Sequence, residues 1–124
     1  MVKKAAAASH APYSHINVGA VLYAATGSMH AGTNIESSSY SLTMCAERTA
    51  LFTALSMGIR DFQLLLVYSP QIAFIVPCGA CLQVLSEFAP DLLIVTMNEH
   101  DEFKFLPIKT LLPTPFVFNR QPVR

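Results

Sequence analysis

The sequence predicts an α/β fold in three layers, an α/β/α sandwich whose middle layer is a mixed five-stranded sheet. Strand-like and helix-like segments follow one another in the order β-β-α-β-α-β-β, the pattern of a sheet covered by helices. Residues 62–68 and 92–97 are almost unbroken apolar runs, typical of strands covered on both faces. The length of 124 residues fits one domain, which we assign to residues 1–124.

The chain begins with a short helix and a β-hairpin. The alanines at 5–8 predict a helix stub that ends before Pro12, because proline cannot continue a helix. Residues 18–23 and 29–33 predict two strands joined by a turn. Gly27 supplies the backbone freedom that such a turn needs.

Two longer helices and two further strands follow. The first helix is predicted from about Thr43 to Met57, and Gly58 stands where a helix C-terminus prefers glycine. The second helix is predicted to open at Pro77 and to stop before Pro90. Residues 103–105 predict a short alternating strand.

The C-terminal tail, from Pro107 onward, is rich in proline and is expected to be irregular. Two of its aromatic residues, Phe116 and Phe118, are the side chains by which we expect it to pack.

Composition excludes several classes of function. The chain is 52% hydrophobic and 13% charged, with a mean hydropathy of +0.43, which predicts that other subunits cover part of its apolar surface. Eight Lys and Arg residues balance eight Asp and Glu residues and form no basic cluster, which argues against nucleic acid as a partner. Prolines and polar residues interrupt every apolar run, which argues against a membrane span. No signal-peptide pattern is visible, and cysteines used as ligands predict a cytoplasmic location.

Cysteines and one glutamate indicate the chemistry. Cys45, Cys78 and Cys81 are the only cysteines in the chain, and Glu47 lies two residues after the first of them. Three thiolates would leave the fourth position of a tetrahedral zinc ion open for water, as in catalytic sites. Glu47 could then move a proton without being a ligand. The spacing matches the signature of zinc-dependent nucleobase deaminases in its three-cysteine form, including Pro77.

Three other interpretations of the cysteines are open. The Cys78–Cys81 pair could be a redox pair, although this leaves Cys45 and Glu47 unexplained. A closed structural zinc site would need a fourth ligand from a histidine, and none of the four has finger-like spacing: they are His10, His15, His30 and His100. The three thiols could also be unrelated residues of an apolar core.

Two further features have a functional and a structural interpretation. Arg48 could donate a hydrogen bond to a thiolate and so restore the Lewis acidity of zinc, or it could be an ordinary arginine of a helix surface. The polar segment 34–40 is on composition alone a solvated connector that caps the following helix.

From residue 11 to residue 116 the chain resembles the small homotetrameric cytidine deaminases. The matching segments are 11–14, 18–20, 34–40, 45–50, 77–81 and 111–113. The resemblance implies one Zn²⁺ per subunit on Cys45, Cys78 and Cys81. It also implies that Glu47 is the proton shuttle and that Arg48 compensates the thiolate charge.

The same resemblance implies a set of substrate contacts and a shared site. Asn34 and Glu36 would bind the ribose 3′-hydroxyl, while the backbone of Ala46 and the carbonyl of Pro77 would contact the base. Neighbouring subunits of a homotetramer would complete each site, and the residues assigned to this role are Tyr40 and Phe116. The chain departs from the family's usual residues in having Ile16 in place of a phenylalanine that helps to wall the base, and Leu82 in place of an arginine.

The function expected from the resemblance is hydrolytic deamination of cytidine and 2′-deoxycytidine in pyrimidine salvage. Two alternatives are a deaminase of a modified cytosine nucleoside such as blasticidin S, and a non-catalytic interaction domain stabilised by zinc. Ile16 mildly favours the first alternative because it leaves a roomier pocket, and the pair Asn34 and Glu36 argues against it.

Overall fold

The computed structural model describes residues 1–118, in which it places four α-helices, five strands and one 3₁₀ turn. In chain order they are α1 (Val2–Ala7), β1 (Gly19–Ala24), β2 (Met29–Thr33), the 3₁₀ turn (Tyr40–Leu42), α2 (Ala46–Ser56), β3 (Phe62–Tyr68), α3 (Gly79–Phe88), β4 (Leu93–Met97), β5 (Phe103–Pro107) and α4 (Ile108–Leu111).

The five strands form one mixed sheet in the order β2-β1-β3-β4-β5. Three neighbouring pairs are antiparallel, and β3 and β4 are parallel. A parallel pair needs a crossover between its strands, and α3 lies on the connection that makes it. The predicted mixed five-stranded sheet is confirmed.

The two faces of the sheet carry different cores, because successive side chains of a strand point to opposite sides. Ala20 and Leu22 of β1 belong to the larger core, which also contains buried residues of α2 and α3. Val21, between them, belongs to a smaller cluster that contains Val2 and Ala6 of α1. Helices therefore lie on both sides of the sheet, and the predicted three-layer architecture is confirmed.

The opening hairpin has the predicted turn. Gly27 has a φ of +95°, which glycine adopts without strain, and the turn is closed by hydrogen bonds between Ala24 and Ser28 and between Gly27 and Ala24. The first strand of the hairpin, β1, starts at Gly19, one residue later than predicted.

The helix α2 begins three residues later than predicted, at Ala46 rather than Thr43. The reason is a long-range pairing: Met44 and Ile35 exchange two backbone hydrogen bonds of 2.9 Å and hold the chain extended up to Cys45. Cys45 becomes the N-cap of α2. The long-range bridge thus decides which residue stands at the start of the helix.

A glycine allows α2 to lie close to the sheet. A Cβ atom built on Gly32 of β2 would lie 2.3 Å from the backbone nitrogen of Ala50 and 2.5 Å from the carbonyl oxygen of Ala46. No side chain fits in that space, so helix and strand are in backbone contact there.

The face of the sheet that carries the smaller cluster is only partly covered, because the helix α1 that lies on it has six residues. In β3, Gln63 is exposed and Leu64 and Leu66 are half-buried, so our expectation that this strand is covered on both faces was wrong for its first half. Phe103 and Phe105 of β5 are 48% and 63% exposed on the same side.

The tail contains one regular element that was not predicted, the four-residue helix α4. Phe116 and Phe118, the side chains by which we expected the tail to pack, are 74% and 70% exposed in the single chain. Residues 119–124, which the single-domain assignment includes, lie outside the described part of the chain. Across residues 1–118, no helix combines the length and apolar character that crossing a bilayer demands.

Candidate active site

The three cysteines meet where two helices begin. Cys45 is the N-cap of α2, Cys78 is the N-cap of α3, and Cys81 lies in the first turn of α3. Helix N-termini carry a partial positive charge, which favours a thiolate over a thiol. Both helices therefore present their favourable end to the same point.

The separations of the sulfur atoms fit a zinc ion. The Sγ atoms lie 3.9 Å apart in the pair Cys45–Cys78 and 3.6 Å apart in the pair Cys78–Cys81. All three lie within 4.8 Å of one another. Tetrahedral zinc with Zn–S bonds of about 2.3 Å places its sulfur ligands about 3.8 Å apart. Because the set has three members, one coordination position stays free for a non-protein ligand.

The three thiols also shift one another's pKa values. Hydrogen bonding from Cys81, together with that from Arg48, lowers the pKa of the Cys45 thiol. The same hydrogen bond and burial raise the pKa of the Cys81 thiol. The hydrogen bonds among the three thiols therefore favour a thiolate within the cluster, and a bound cation would replace the protons of the thiols that remain.

Arg48 supports the cluster from the first turn of α2, three residues after Cys45. Its Nη2 atom lies 3.5 Å from the Sγ atom of Cys45, and this hydrogen bond raises the pKa of the guanidinium. The side chain therefore does not have the position of an ordinary surface arginine. Leu82 stands where the resemblance leads us to expect an arginine. Its side chain is buried in the core, with 7% of its surface exposed.

Glu47 is the buried acid of the site. It lies in the first turn of α2 and exposes only 5% of its surface. Burial, together with the charge of the neighbouring Cys45 thiolate, raises the pKa of its carboxyl to about 7. A carboxyl with a pKa near 7 can both accept and donate a proton at neutral pH.

A cavity of about 260 Å³ opens over Glu47 and two of the cysteines. Its wall contains four other predicted site residues, and the full lining is Ser14, Ile16, Val18, Asn34, Glu36, Thr43, Met44, Cys45, Ala46, Glu47, Ile75, Val76 and Cys78. The lining combines an aliphatic wall with a few polar groups, as ligand sites usually do. The structure therefore brings Ile16, Asn34, Glu36 and Ala46 to the predicted metal ligands.

The two polar residues of the segment 34–40 are held by hydrogen bonds. Asn34 is buried, and its side-chain amide bonds the backbone of Ile16 and Val18. Glu36 accepts hydrogen bonds from the backbone N–H groups of Tyr13 and Ser14, at 3.0 and 3.1 Å, and from the Ser14 hydroxyl. These bonds lower the pKa of the Glu36 carboxyl. The segment is therefore more than the solvated connector that its composition suggested.

Three of the predicted contacts do not line this cavity. Pro77 is buried next to Cys78, while Val76 forms the wall at that point. Tyr40 is 73% exposed, contacts the Tyr13 ring at 5.6 Å, and lines a second cavity of about 370 Å³ that shares Ser14, Glu36 and Thr43 with the first. Phe116 lines neither cavity.

The sequence analysis did not identify Ser14 and Thr43 as site residues. Ser14 binds Glu36, and the Thr43 hydroxyl accepts a hydrogen bond of 3.0 Å from the N–H of Ser37. No local pattern distinguishes either residue from a turn residue, because their partners lie 22 and 6 positions away. The position of Ser14, between Pro12 and the first strand, was the available signal.

Together, a mixed sheet, two helix N-termini and a buried acid beside three thiols define a zinc-dependent hydrolase centre. The family model described as "Cytidine and deoxycytidylate deaminase zinc-binding region" matches residues 1–97. The chain belongs to this family, and the donor set fits Zn²⁺ as its metal.

Relatives in other organisms span most of the chain. A cytidine deaminase of Sporosarcina psychrophila is 43% identical over 115 residues, which are 92% of this chain and 85% of the relative. A probable cytidine deaminase of Dictyostelium discoideum is 42% identical over 114 residues, which are 91% and 76% of the two chains. A blasticidin-S deaminase of Bacillus cereus is 30% identical over 112 residues, which are 83% and 79%.

Solved structures agree with the fold. The crystal structure of a cytidine deaminase from Burkholderia pseudomallei matches with a TM-score of 0.88 and 41% identity, covering 93% of each chain. That of Mycobacterium tuberculosis cytidine deaminase matches with a TM-score of 0.81 and 30% identity, covering 94% of this chain and 92% of the other.

Proposed function

We propose that this chain catalyses the hydrolytic deamination of cytidine and 2′-deoxycytidine, which yields uridine or 2′-deoxyuridine and ammonia. The observation that carries the proposal is the position of Glu47, a buried carboxyl at the floor of a cavity that also contains Cys45 and Cys78. Family membership and the three-thiol cluster support it.

The chain's own residues divide the reaction between them. Zinc held by Cys45, Cys78 and Cys81 supplies a Lewis acid that makes water a nucleophile at neutral pH. Glu47 accepts the proton that water loses and delivers it to N3 of the pyrimidine as C4 is attacked. It then takes the proton of the hydroxyl that is now on C4 and passes it to the amine, which leaves as ammonia while the C4 carbonyl forms. Arg48 offsets the negative charge of the thiolates.

Most of the proposed substrate contacts belong to the lining of the cavity. Asn34 and Glu36 bind the sugar hydroxyl, and Ile16 walls the base. The backbone of Ala46 and the carbonyl of Pro77 bind the edge of the base. Support comes from the cavity, which Ile16, Asn34, Glu36 and Ala46 line together with Glu47.

We also propose that the chain forms a homotetramer with shared sites, in which Tyr40 and Phe116 contact the site of a neighbouring subunit. Both rings are more than 70% exposed. Val117 and Phe118 next to Phe116 are also exposed, and a contiguous exposed apolar patch often marks an interaction surface. Sedimentation or light scattering that finds a stable monomer would contradict this assignment.

The biological setting that we propose is pyrimidine salvage in the cytoplasm by one catalytic domain, residues 1–124. A formal net charge of +0 supports a small nucleoside as substrate rather than a nucleic acid. An activity test on single-stranded DNA and RNA that contain cytosine should show no product.

The decisive experiment measures the conversion of both nucleosides by zinc-loaded wild type and by Glu47→Gln. Glutamine keeps the shape of the side chain but cannot carry the proton. We expect turnover by the wild type alone, with zinc content and thermal unfolding equal in both proteins. Equal activity of the two proteins would exclude Glu47 as the shuttle, and no activity despite bound zinc would favour a non-catalytic domain.

A second candidate is the deamination of blasticidin S, a cytosine nucleoside with an altered sugar. The relative in Bacillus cereus and the aliphatic wall formed by Ile16, Ile75 and Val76 favour it. Asn34 and Glu36, which suit a ribose hydroxyl, oppose it. Comparing kcat/KM for cytidine and blasticidin S decides between the two, and Ile16→Phe tests whether the wall sets the preference.

A further inference from the structure

A side-chain amide fixes the backbone of the C-terminal segment. The Nε2 atom of Gln83 donates a hydrogen bond of 2.7 Å to the carbonyl oxygen of Phe116, and its Oε1 atom accepts one of 3.0 Å from the N–H of the same residue. The two residues are 33 positions apart. Gln83 thus satisfies both polar backbone groups of Phe116, as a neighbouring strand would.

Gln83 is a rigid anchor because of the helix that carries it. It lies in the first half of α3, two residues after Cys81. The residues on either side of it in the helix, Cys81, Leu82 and Leu85, are buried in the larger core. The hydrogen bonds therefore join the C-terminal segment to the same helix that holds two of the metal ligands.

The segment held by Gln83 is apolar and faces solvent. Phe116 is 74% exposed and Val117 is 72% exposed. Burial of these side chains within the subunit does not explain why the chain takes this position, since both are exposed. The position of Phe116 follows instead from its two backbone hydrogen bonds to Gln83.

We propose that Gln83 is a positioning residue, which holds Phe116 in the place where it contacts the active site of a second copy of this chain. The proposal rests on the proposed function, which assigns Phe116 to a neighbouring site. The physical reason is preorganisation. A residue whose backbone is already hydrogen-bonded to α3 loses less conformational entropy on contact than a residue of a free tail. The geometry of one subunit's metal helix then also sets the geometry of its neighbour's substrate pocket.

Three variants test the proposal through the KM for cytidine. Gln83→Leu removes both hydrogen bonds at similar volume, Gln83→Glu keeps only the acceptor for the Phe116 N–H, and Phe116→Ala removes the ring. We expect Gln83→Leu to raise KM about tenfold, since two hydrogen bonds of ordinary net strength are lost, with kcat changed less than twofold. Gln83→Glu should fall between wild type and Gln83→Leu. Gln63→Glu, at an exposed site of β3, controls for the change in charge.

The double variant Gln83→Leu with Phe116→Ala distinguishes positioning from general stability. If Gln83 acts through Phe116, the double variant has the KM of Phe116→Ala alone, because a residue that acts through another has no effect without it. Multiplied effects on KM would overturn the proposal. A lower melting temperature with unchanged KM in Gln83→Leu would also overturn it, since that is the result of a purely structural clamp.

The outcomes separate this proposal from the one on which it rests. A wild-type KM in Phe116→Ala would remove Phe116 from the substrate site and both proposals about it would fail. A raised KM in Phe116→Ala with a wild-type KM in Gln83→Leu would overturn the role of Gln83 and leave the assignment of Phe116 in place.

Discussion

The side-chain amide of Asn34 donates a hydrogen bond of 2.8 Å to the backbone carbonyl of Ile16. Its oxygen accepts a second bond of 2.8 Å from the N–H of Val18. Because Asn34 is buried, it fixes the chain on both sides of Asn17 and thereby sets the aliphatic wall of the cavity. One N–H of the amide is left for a ligand.

Replacing Asn34 by leucine is expected to reduce stability as well as substrate binding. The change leaves the Val18 N–H and the Ile16 carbonyl without their partner, which costs about 1–3 kcal/mol of unfolding free energy. Urea unfolding measures this loss. A variant with wild-type stability and a raised KM would show that the amide serves the substrate alone.

Gly32→Ala should destabilise the protein by more than about 1–3 kcal/mol, the usual range for an overpacked core. The new Cβ atom would meet the backbone of α2, which cannot move aside as a flexible side chain can. Displacing α2 also moves Cys45 and Glu47, so bound zinc should decrease. Gly79→Ala is the stability control, because a Cβ atom there meets nothing within 4 Å. Equal melting temperatures for the two variants would contradict the close contact.

Ser14→Ala should release Glu36. The hydrogen bond from the Ser14 hydroxyl is the largest cause of the lowered pKa of Glu36, so the variant's carboxyl titrates at a higher pH. Since the folded-state pKa lies below the unfolded value, the contact stabilises the protein above that range and is lost as the pH falls. Carbon-13 NMR titration of the Glu36 carboxyl measures the shift, and Ser14→Thr should keep most of it. An unchanged titration would disprove the coupling.

Arg48→Ala is expected to lower kcat by about 10- to 100-fold or to weaken zinc binding by a similar factor, as outer partners of metal ligands usually do. The reason is the loss of the donor to the Cys45 sulfur. The control is Arg60→Ala. Arg60 lies beyond the end of α2 and donates hydrogen bonds to the carbonyls of Leu55 and Ile59. Should both variants lose activity equally, the effect of Arg48 is not specific to the thiolate.

Removing zinc with a chelator should lower the melting temperature, because binding to the folded state alone stabilises it by about 2.7 kcal/mol at a free zinc concentration 100 times Kd. Adding zinc back should restore the melting temperature and the activity together. Metal analysis must confirm that the ion has been removed. A melting temperature that stays constant after removal would contradict the prediction, since it would mean that zinc does not bind the folded chain in preference to the unfolded one.

The elements that local patterns specify were predictable. The hairpin turn at Gly27, the strand over residues 62–68 and the convergence of Cys45, Cys78 and Cys81 each follow from spacing that is visible in the sequence. The resemblance supplied the candidate substrate residues, four of which the structure places on the cavity wall.

The features that depend on distant contacts were not predictable from local patterns. The start of α2 is set by the bridge between Met44 and Ile35, and the need for glycine at position 32 arises from a helix that follows later in the chain. The hydrogen bonds between Gln83 and Phe116 were missed for the same reason, since the two residues lie 33 positions apart.

The separation of the cysteines along the chain has a consequence for how the metal site reports on the fold. Cys45 and Cys78 are 33 residues apart, and β3 and the connection to α3 separate them. Bringing them together costs loop-closure entropy that the formation of one helix does not. The three-cysteine cluster is therefore complete only when these long-range contacts have formed, and metal affinity measures the tertiary structure rather than either helix alone.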